Sequence, residues 1–345
     1  MPDGKIYTRV VEEAQDIICG LRRQEKDPNY ISCDYLSNIE ESTCVLGIHD
    51  LWRTRMCEWS YELIDHFDCD RCLVGIAFDY IDRFLSFTTK RTSGGHEMSK
   101  QRFQLLVVTS VFIALKLNRS GKKHLMSKHS SNKFIDEFVL LSNGVFSAND
   151  FYEMEIHLLK TLKWRVNPPT PASYIFHLLS FFPIQNQGTP NFFRKQTFSN
   201  HRSDFKFSMT EGELQEIYDC ASYISELVVG YYEIFTLQSP SCIAAAAIIR
   251  AIDIVLAQTY ASKKLLFEKV MTYMTLDTKE QLLVQKVCQQ IETLYPNLFI
   301  EEELNLNVKS DRTDGFSHFK KRILSPTSVV GLNQVPEDNC KRTKT

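Results

Sequence analysis

Four charged residues stand where the spacing of apolar residues predicts burial. Asp82 falls four after Phe78 and three before Leu85, and Glu155 falls four after Phe151 and three before Leu158. Arg53 lies beside Trp52 and three before Met56, and Lys116 stands near the C-terminal end of the run FQLLVVTSVFIALKL at 103–117, which is apolar around its whole circumference. An unpaired buried charge is strongly destabilising and a paired one much less so. Arg53 with Asp82 and Lys116 with Glu155 are therefore the least costly pairings, although spacing does not by itself join them. Such a pair either braces two helices or, near helix ends, meets the backbone of a partner. Neither role is catalysis. The chain carries no Gly-rich phosphate loop, no Gly-x-Ser-x-Gly and no helix with paired histidines. Cys69 and Cys72, with His66, offer three metal ligands, but a structural zinc site takes four and no second cysteine pair follows. No metal and no cofactor is expected.

The elements that must position these charges are helices. A segment from Asp50 to about Phe67 turns Trp52, Met56, Trp59, Leu63 and Phe67 to one side, and one over 70–86 does the same with Leu73, Val74, Ala77, Phe78, Ile81 and Leu85. A polar loop over 87–99 precedes the apolar run, which reads as the central post of a helical bundle; at about 15 residues it is too short to span a membrane. A polar loop after Leu117, a short helix over 134–141 and a helix over 149–162 capped by Ser147 complete the first half. Asn167-Pro168-Pro169-Thr170-Pro171 ends it, since prolines stop a helix and stiffen an extended link. The second half predicts helices over 170–182, 210–235, 240 to about 256, 262–274 and 277–294, with CIAAAAIIRAIDIVLA as a second all-apolar centre. Tyr7, Val10, Val11, Ala14, Ile17, Ile18 and Leu21 recur at helical spacing ahead of both halves. The fold class is all-α, divided as 1–48 N-terminal helix and linker, 49–167 first bundle, 168–300 second bundle and 301–345 a polar disordered tail.

Composition narrows the function classes. A net charge of −2 over 345 residues gives no global basic field to hold nucleic acid, and no direct nucleic-acid or membrane partner is expected. The start of the chain lacks a charged segment followed by an apolar run, so it does not read as a secretory signal, and ten scattered cysteines suit a reducing compartment.

WRTRMCEW, then FDYIDRFLS, FQLLVVTSVFIALK and FSANDFYEMEIHLLKTLKWRVNPPTP, resemble the cyclin box in order and distance, and SPSCIAAAAIIRA resembles the central helix of a second cyclin fold. The resemblance implies two tandem five-helix bundles and a non-catalytic subunit that binds and activates a cyclin-dependent protein kinase in cell-cycle control. It also implies roles: Arg53 and Asp82 brace the first two helices, Leu105 packs the post, and Lys116 and Glu155 hydrogen-bond the kinase around its movable helix. A substrate-docking patch for basic-hydrophobic motifs is implied at Trp52, Met56, Trp59, Glu62 and Gln104, with Arg55 standing where the family expects an aliphatic residue. Asn118 and Arg119 replace two expected acids. The N-terminal arm has no Arg-x-x-Leu or Lys-Glu-Asn degradation signal and no Leu-x-Cys-x-Glu near Cys33. Ser325-Pro326 suits a proline-directed kinase, and Lys320-Lys321-Arg322 suits nuclear import, giving nucleus and cytoplasm as the expected locations. The competing readings are a transcription-associated cyclin-fold factor, which needs a basic face, and a cyclin-fold scaffold with no kinase partner.

Overall fold

The central apolar run forms a helix buried along most of its length, and everything in the first half is arranged around it. The computed structural model describes residues 3–36, 50–91, 98–118, 131–182, 209–256 and 260–298. They form helices α1 (Asp3–Glu25), α2 (Asp50–His66), α3 (Cys72–Arg91), α4 (Lys100–Leu117), α5 (Ser131–Leu141) and α6 (Ala148–Thr161). After the proline-rich link come α7 (Pro171–Leu179), α8 (Glu211–Leu227), α9 (Tyr232–Phe235), α10 (Pro240–Val255), α11 (Tyr260–Tyr273) and α12 (Thr278–Leu294). No β-strand occurs among the described residues. The calls on Ser325 and Lys320-Lys321-Arg322, and those on the segments 37–49 and 183–208, lie outside the described residues.

Helix α4 is the post of the first bundle. Phe103 and every residue from Leu106 to Leu115 are buried. Removing each of its large aliphatic or aromatic side chains from water contributes about 1.5–3 kcal/mol. Ser99 starts the helix by accepting a hydrogen bond from the Arg102 N–H at 3.2 Å. Helices α3 and α6 pack along it, and α5 is pinned by aromatic contacts: Phe134 stacks on Phe112 with centroids 5.2 Å apart, and Phe138 stacks on Phe67 at 5.7 Å. Helix α10 plays the same part in the second bundle, buried from Ser241 to Ile249 and flanked by α7, α8, α11 and α12. Its alanines let those neighbours approach closely.

Two segments differ from the sequence reading. The expected loop over 87–99 begins later, because α3 continues to Arg91; nothing from Phe87 to Arg91 breaks a helix, and the Thr88 hydroxyl donates back to the carbonyls of Phe84 and Leu85. The single helix expected over 210–235 is broken into α8, a 3-10 turn at Val228–Gly230 and α9. The break has a cause outside the segment: Arg53 Nη2 donates to the Val229 carbonyl at 3.1 Å and Thr54 Oγ1 to that of Gly230 at 3.5 Å. Those carbonyls serve the first bundle and are lost to helix continuation.

Helix α1 docks on the second bundle. Ala14 and Ile18 enter its core, and α1 packs against α7. Arg22 is buried there, donating to both Glu280 oxygens at 2.7 and 2.6 Å and to the Ser241 hydroxyl at 2.8 Å, with Glu25 as a further ion-pair partner. Glu25 also accepts from the Tyr174 hydroxyl at 3.0 Å and the Ser241 N–H at 3.1 Å. Burial opposes the Arg22 charge, but Glu280 and Glu25 outweigh it and hold the guanidinium above its usual pKa. Arg22→Ala leaves Glu25 buried without its cation, a loss of about 3–5 kcal/mol. Amide hydrogen exchange is expected to show α1 opening ahead of α10; unchanged protection of α1 would mean its apolar face alone suffices.

Candidate functional site: two ion pairs of the first bundle

The structure joins Arg53 with Asp82 and Lys116 with Glu155, the two least costly pairings, and they differ in exposure. Arg53 on α2 and Asp82 on α3 are each 2% exposed. Arg53 Nη2 donates to Asp82 Oδ2 at 3.0 Å, and Nη1 pairs with Oδ1. Asp82 also accepts from the Tyr35 hydroxyl at 2.8 Å and from Thr236 Oγ1 at 2.7 Å. The Arg53 guanidinium lies 4.9 Å from the Phe78 ring centroid and 6.0 Å from that of Tyr232. Burial acts against the Arg53 charge, and Asp82 more than offsets it, so the pKa is held above its ordinary value. Tyr35 is pushed well up, first by burial and then by Asp82. This pair therefore joins α2 and α3, and also ties in the segment around Tyr35 and the turn before α10. Tyr232 extends the junction: its hydroxyl accepts from the Tyr35 N–H at 2.8 Å and donates to Asp34 at 2.9 Å.

Lys116 and Glu155 meet at the other end of the bundle and closer to solvent. Lys116 Nζ lies 2.8 Å from Glu155 Oε1, with the lysine side chain 38% and the glutamate 12% exposed. Lys116 comes from the last turn of α4, where a cation is favoured by the helix dipole. Its Nζ also lies 5.5 Å from the Phe112 ring centroid. Glu155 is positioned by α6, whose start is fixed by a capping box between Ser147 and Asp150. Apolar side chains are exposed on the same two elements, Leu117 next to Lys116 and Tyr152 and Ile156 beside Glu155 on α6, and also at Leu140 and Leu141 at the end of α5 and at Val145 in the turn after it. Past α6, Lys163 and Trp164 take left-handed backbone conformations, φ 52° and 61°, and Trp164 is exposed. Of the thirteen large exposed hydrophobics among the described residues, seven lie between Leu117 and Trp164 in the chain.

The remaining implied residues fall on α2 and the start of α4. Trp52, Trp59, Glu62 and Gln104 are half-buried; Met56 is buried in the core beneath them; Leu105 packs half-buried against the first core. Arg55 is exposed. Among the described residues no three His, Cys, Asp or Glu side chains gather as metal ligands, and no helix is long and apolar enough to cross a membrane.

Spacing missed a further ion pair of the first bundle. Arg83 is fully buried, donating to Asp79 Oδ2 at 2.7 Å and to the carbonyls of Arg165 and Asn29 at 2.7 and 3.1 Å. It anchors the chain just past α6 and the turn after α1 to α3. The i, i+4 placement of Asp79 and Arg83 was the available signal. Burial pushes the Asp79 carboxyl from 3.8 up to about 6, with Arg83 opposing the shift and Asp82 adding to it. The folded chain thus holds this proton more tightly than the unfolded chain between those values, and stability falls as pH rises through them. Asp79→Asn keeps an acceptor for Arg83 and carries no charge. It is expected to melt higher than the natural chain at pH 7.5, with the difference vanishing below about pH 4. An Asn variant that is less stable at pH 7.5 would show that the Arg83 attraction wins.

Residues 16–167 match the family described as Cyclin, N-terminal domain. Over 153 residues the chain is 26% identical to the G1/S-specific cyclin-D1 of Mus musculus, a span of 44% of each protein. Over 180 residues it is 26% identical to the G1/S-specific cyclin-D2 of Rattus norvegicus, covering 51% of this chain and 54% of that one. The matched span is thus about half the length of these curated relatives. Among solved structures, the X-ray structure of a viral cyclin from herpesvirus saimiri is similar in fold, with a TM-score of 0.51 at 15% identity, covering 81% of this chain and 99% of that one.

Proposed function

The chain belongs to the cyclin family, and from that premise we propose that it is a non-catalytic regulatory subunit that binds and activates a cyclin-dependent protein kinase. The observation that carries the reading is the Lys116–Glu155 pair, joined at 2.8 Å, partly open to solvent and set among exposed apolar side chains. A pair serving packing alone has no need of such surroundings. A surface that is apolar around a few fixed charges has the composition of a protein interface.

The mechanism is one of population shift. In an inactive protein kinase the glutamate of its mobile helix is displaced from the active-site lysine. A rigid surface that binds only the active arrangement draws the equilibrium toward it, by as much as its affinities for the two states differ. Lys116 offers donors and Glu155 acceptors to the backbone at the end of that kinase helix, while Leu117, Tyr152 and Ile156 supply apolar contact. The rigidity comes from α4, whose buried length holds Lys116 still. The test is to isolate the kinase that co-purifies with the full chain and measure phosphoryl transfer with and without it. Recovery of no protein kinase, or a kinase equally active alone, defeats the proposal.

A further inference from the structure

The end of α1, the middle of α3, the proline-rich link and the turn before α10 wall a cavity of about 260 Å³ at the junction of the two bundles. Phe235, Ile243 and Pro240 give it apolar sides, and Gly75 of α3 leaves it room, since a Cβ there would first meet Phe235 at 3.8 Å, an ordinary contact. Glu25, Asp79 and Asp82 also line the cavity, whereas the arginines that pair with them, Arg22, Arg83 and Arg53, do not. Two of the three acids are saturated. Asp82 accepts at both oxygens, from Arg53 and from the hydroxyls of Tyr35 and Thr236. Glu25 does the same with Arg22, Tyr174 and Ser241. Asp79 is different: Arg83 occupies its Oδ2, and no donor among the described residues reaches Oδ1. It brings open acceptor sites to the cavity, and its pKa, raised by burial to about 6, marks a charge with too little compensation. The first turns of α7 and α10 border the cavity too and would favour an anion. Both begin with proline, however, which has no N–H, and the N–H groups of Ser173, Ser241 and Cys242 are taken by Thr170, Glu25 and Ser239.

We propose that this cavity binds a small organic ammonium ion, with its N–H groups on Asp79 Oδ1 and its hydrocarbon body against Phe235 and Pro240. A site that sets one unsatisfied charge in a largely apolar wall selects a ligand with one opposite charge on an apolar frame. Water alone would fill the space without neutralising Asp79. A bare divalent cation is a poor fit, because among the described residues no three His, Cys, Asp or Glu side chains converge to hold one. The cavity walls come from α1, from both bundles and from the link between them, so an occupant touches all of these at once and its binding adds to their cohesion. The proposal does not depend on how the chain meets a kinase.

Titration calorimetry and thermal melting of the full chain at neutral pH, without kinase, test this with probes of one shape: benzylamine as the cation, benzyl alcohol as its neutral counterpart and benzoate as the anion. Benzylamine is expected to bind with a Kd of about 1 mM, in keeping with its few heavy atoms. At about ten times that concentration it should raise Tm by about 2–4 °C. Benzyl alcohol should bind about five- to ten-fold more weakly, for want of a charge-assisted hydrogen bond. Asp79→Asn should remove that preference while leaving the affinity for the alcohol within about two-fold. Gly75→Ala adds a methyl to the cavity wall without a clash and should weaken the amine and the alcohol alike. The Asn side chain keeps an acceptor for Arg83 and alanine suits a helix, so both variants are expected to melt cooperatively. Equal binding of amine and alcohol, a preference for the amine that survives Asp79→Asn, tighter binding of benzoate, or neither heat nor a melting shift from benzylamine would each overturn the proposal.

Discussion

Exchanging Lys116 and Glu155, as Lys116→Glu with Glu155→Lys, is expected to leave the chain folded and to abolish recovery and activation of the kinase. The exchange keeps an ion pair between α4 and α6 and reverses the polarity offered to a partner. A packing brace would tolerate it. A contact in which Lys116 donates and Glu155 accepts would not, because donors would then face donors. Truncating one side of a hydrogen-bonded charge contact in an interface costs about 2–5 kcal/mol, a loss of affinity of roughly 30-fold to several thousand-fold. The double alanine variant should fall in that range. The single variants should differ in stability: Lys116→Ala strands Glu155, only 12% exposed, and costs about 1–3 kcal/mol, whereas Glu155→Ala leaves Lys116 38% exposed to water and costs little. Melting curves read the stability difference and kinase recovery reads the function. If the exchanged chain binds and activates the kinase as the natural one does, the pair is a brace and the contact surface lies elsewhere.

The residues that could be read from the sequence were those whose position depends on one helix period. Asp82 and Glu155 showed themselves by interrupting apolar stripes, and the all-apolar run at 103–117 gave α4 to within a turn. What pairs with them across the bundle was open, because helical spacing fixes a face and not the neighbour it meets. The break between α8 and α9 was illegible for the same reason: it is drawn by Arg53 and Thr54, some 176 residues earlier in the chain. Arg22 also escaped, since it sits at the end of an amphipathic helix where a cation is ordinarily solvated. Only docking of α1 onto α10 and α12 turns it into a buried charge. Arg55 was legible as a departure within the family resemblance, but its isolation from any internal ion pair among the described residues required the structure.

Arg53→Ala is expected to cost as much stability as any single substitution considered. It leaves Asp82, 2% exposed, with its charge buried and only two hydroxyl donors, from Tyr35 and Thr236. Breaking a buried pair from one side costs about 3–5 kcal/mol. At about 2–4 °C per kcal/mol for a body of this size, the melting temperature should fall by roughly 10 °C. The effect should also change the shape of the transition. Arg53 reaches the Val229 carbonyl, and Asp82 holds Thr236, so the pair is where the first bundle grips the second. Calorimetry should resolve one transition in the natural chain and two in the variant, the bundle around α4 unfolding apart from that around α10. Replacing both charges, as Arg53→Met with Asp82→Leu, removes the stranded charge but orphans the Tyr35 and Thr236 hydroxyls and the Val229 carbonyl, at about 1–3 kcal/mol each. Adding Tyr35→Phe and Thr236→Val should then recover most of the lost stability, since a buried pair exchanged for well-packed apolar groups is close to neutral. A shift below about 1 kcal/mol for Arg53→Ala, in a single transition, would show that water reaches Asp82 and that the junction is held by apolar contact alone.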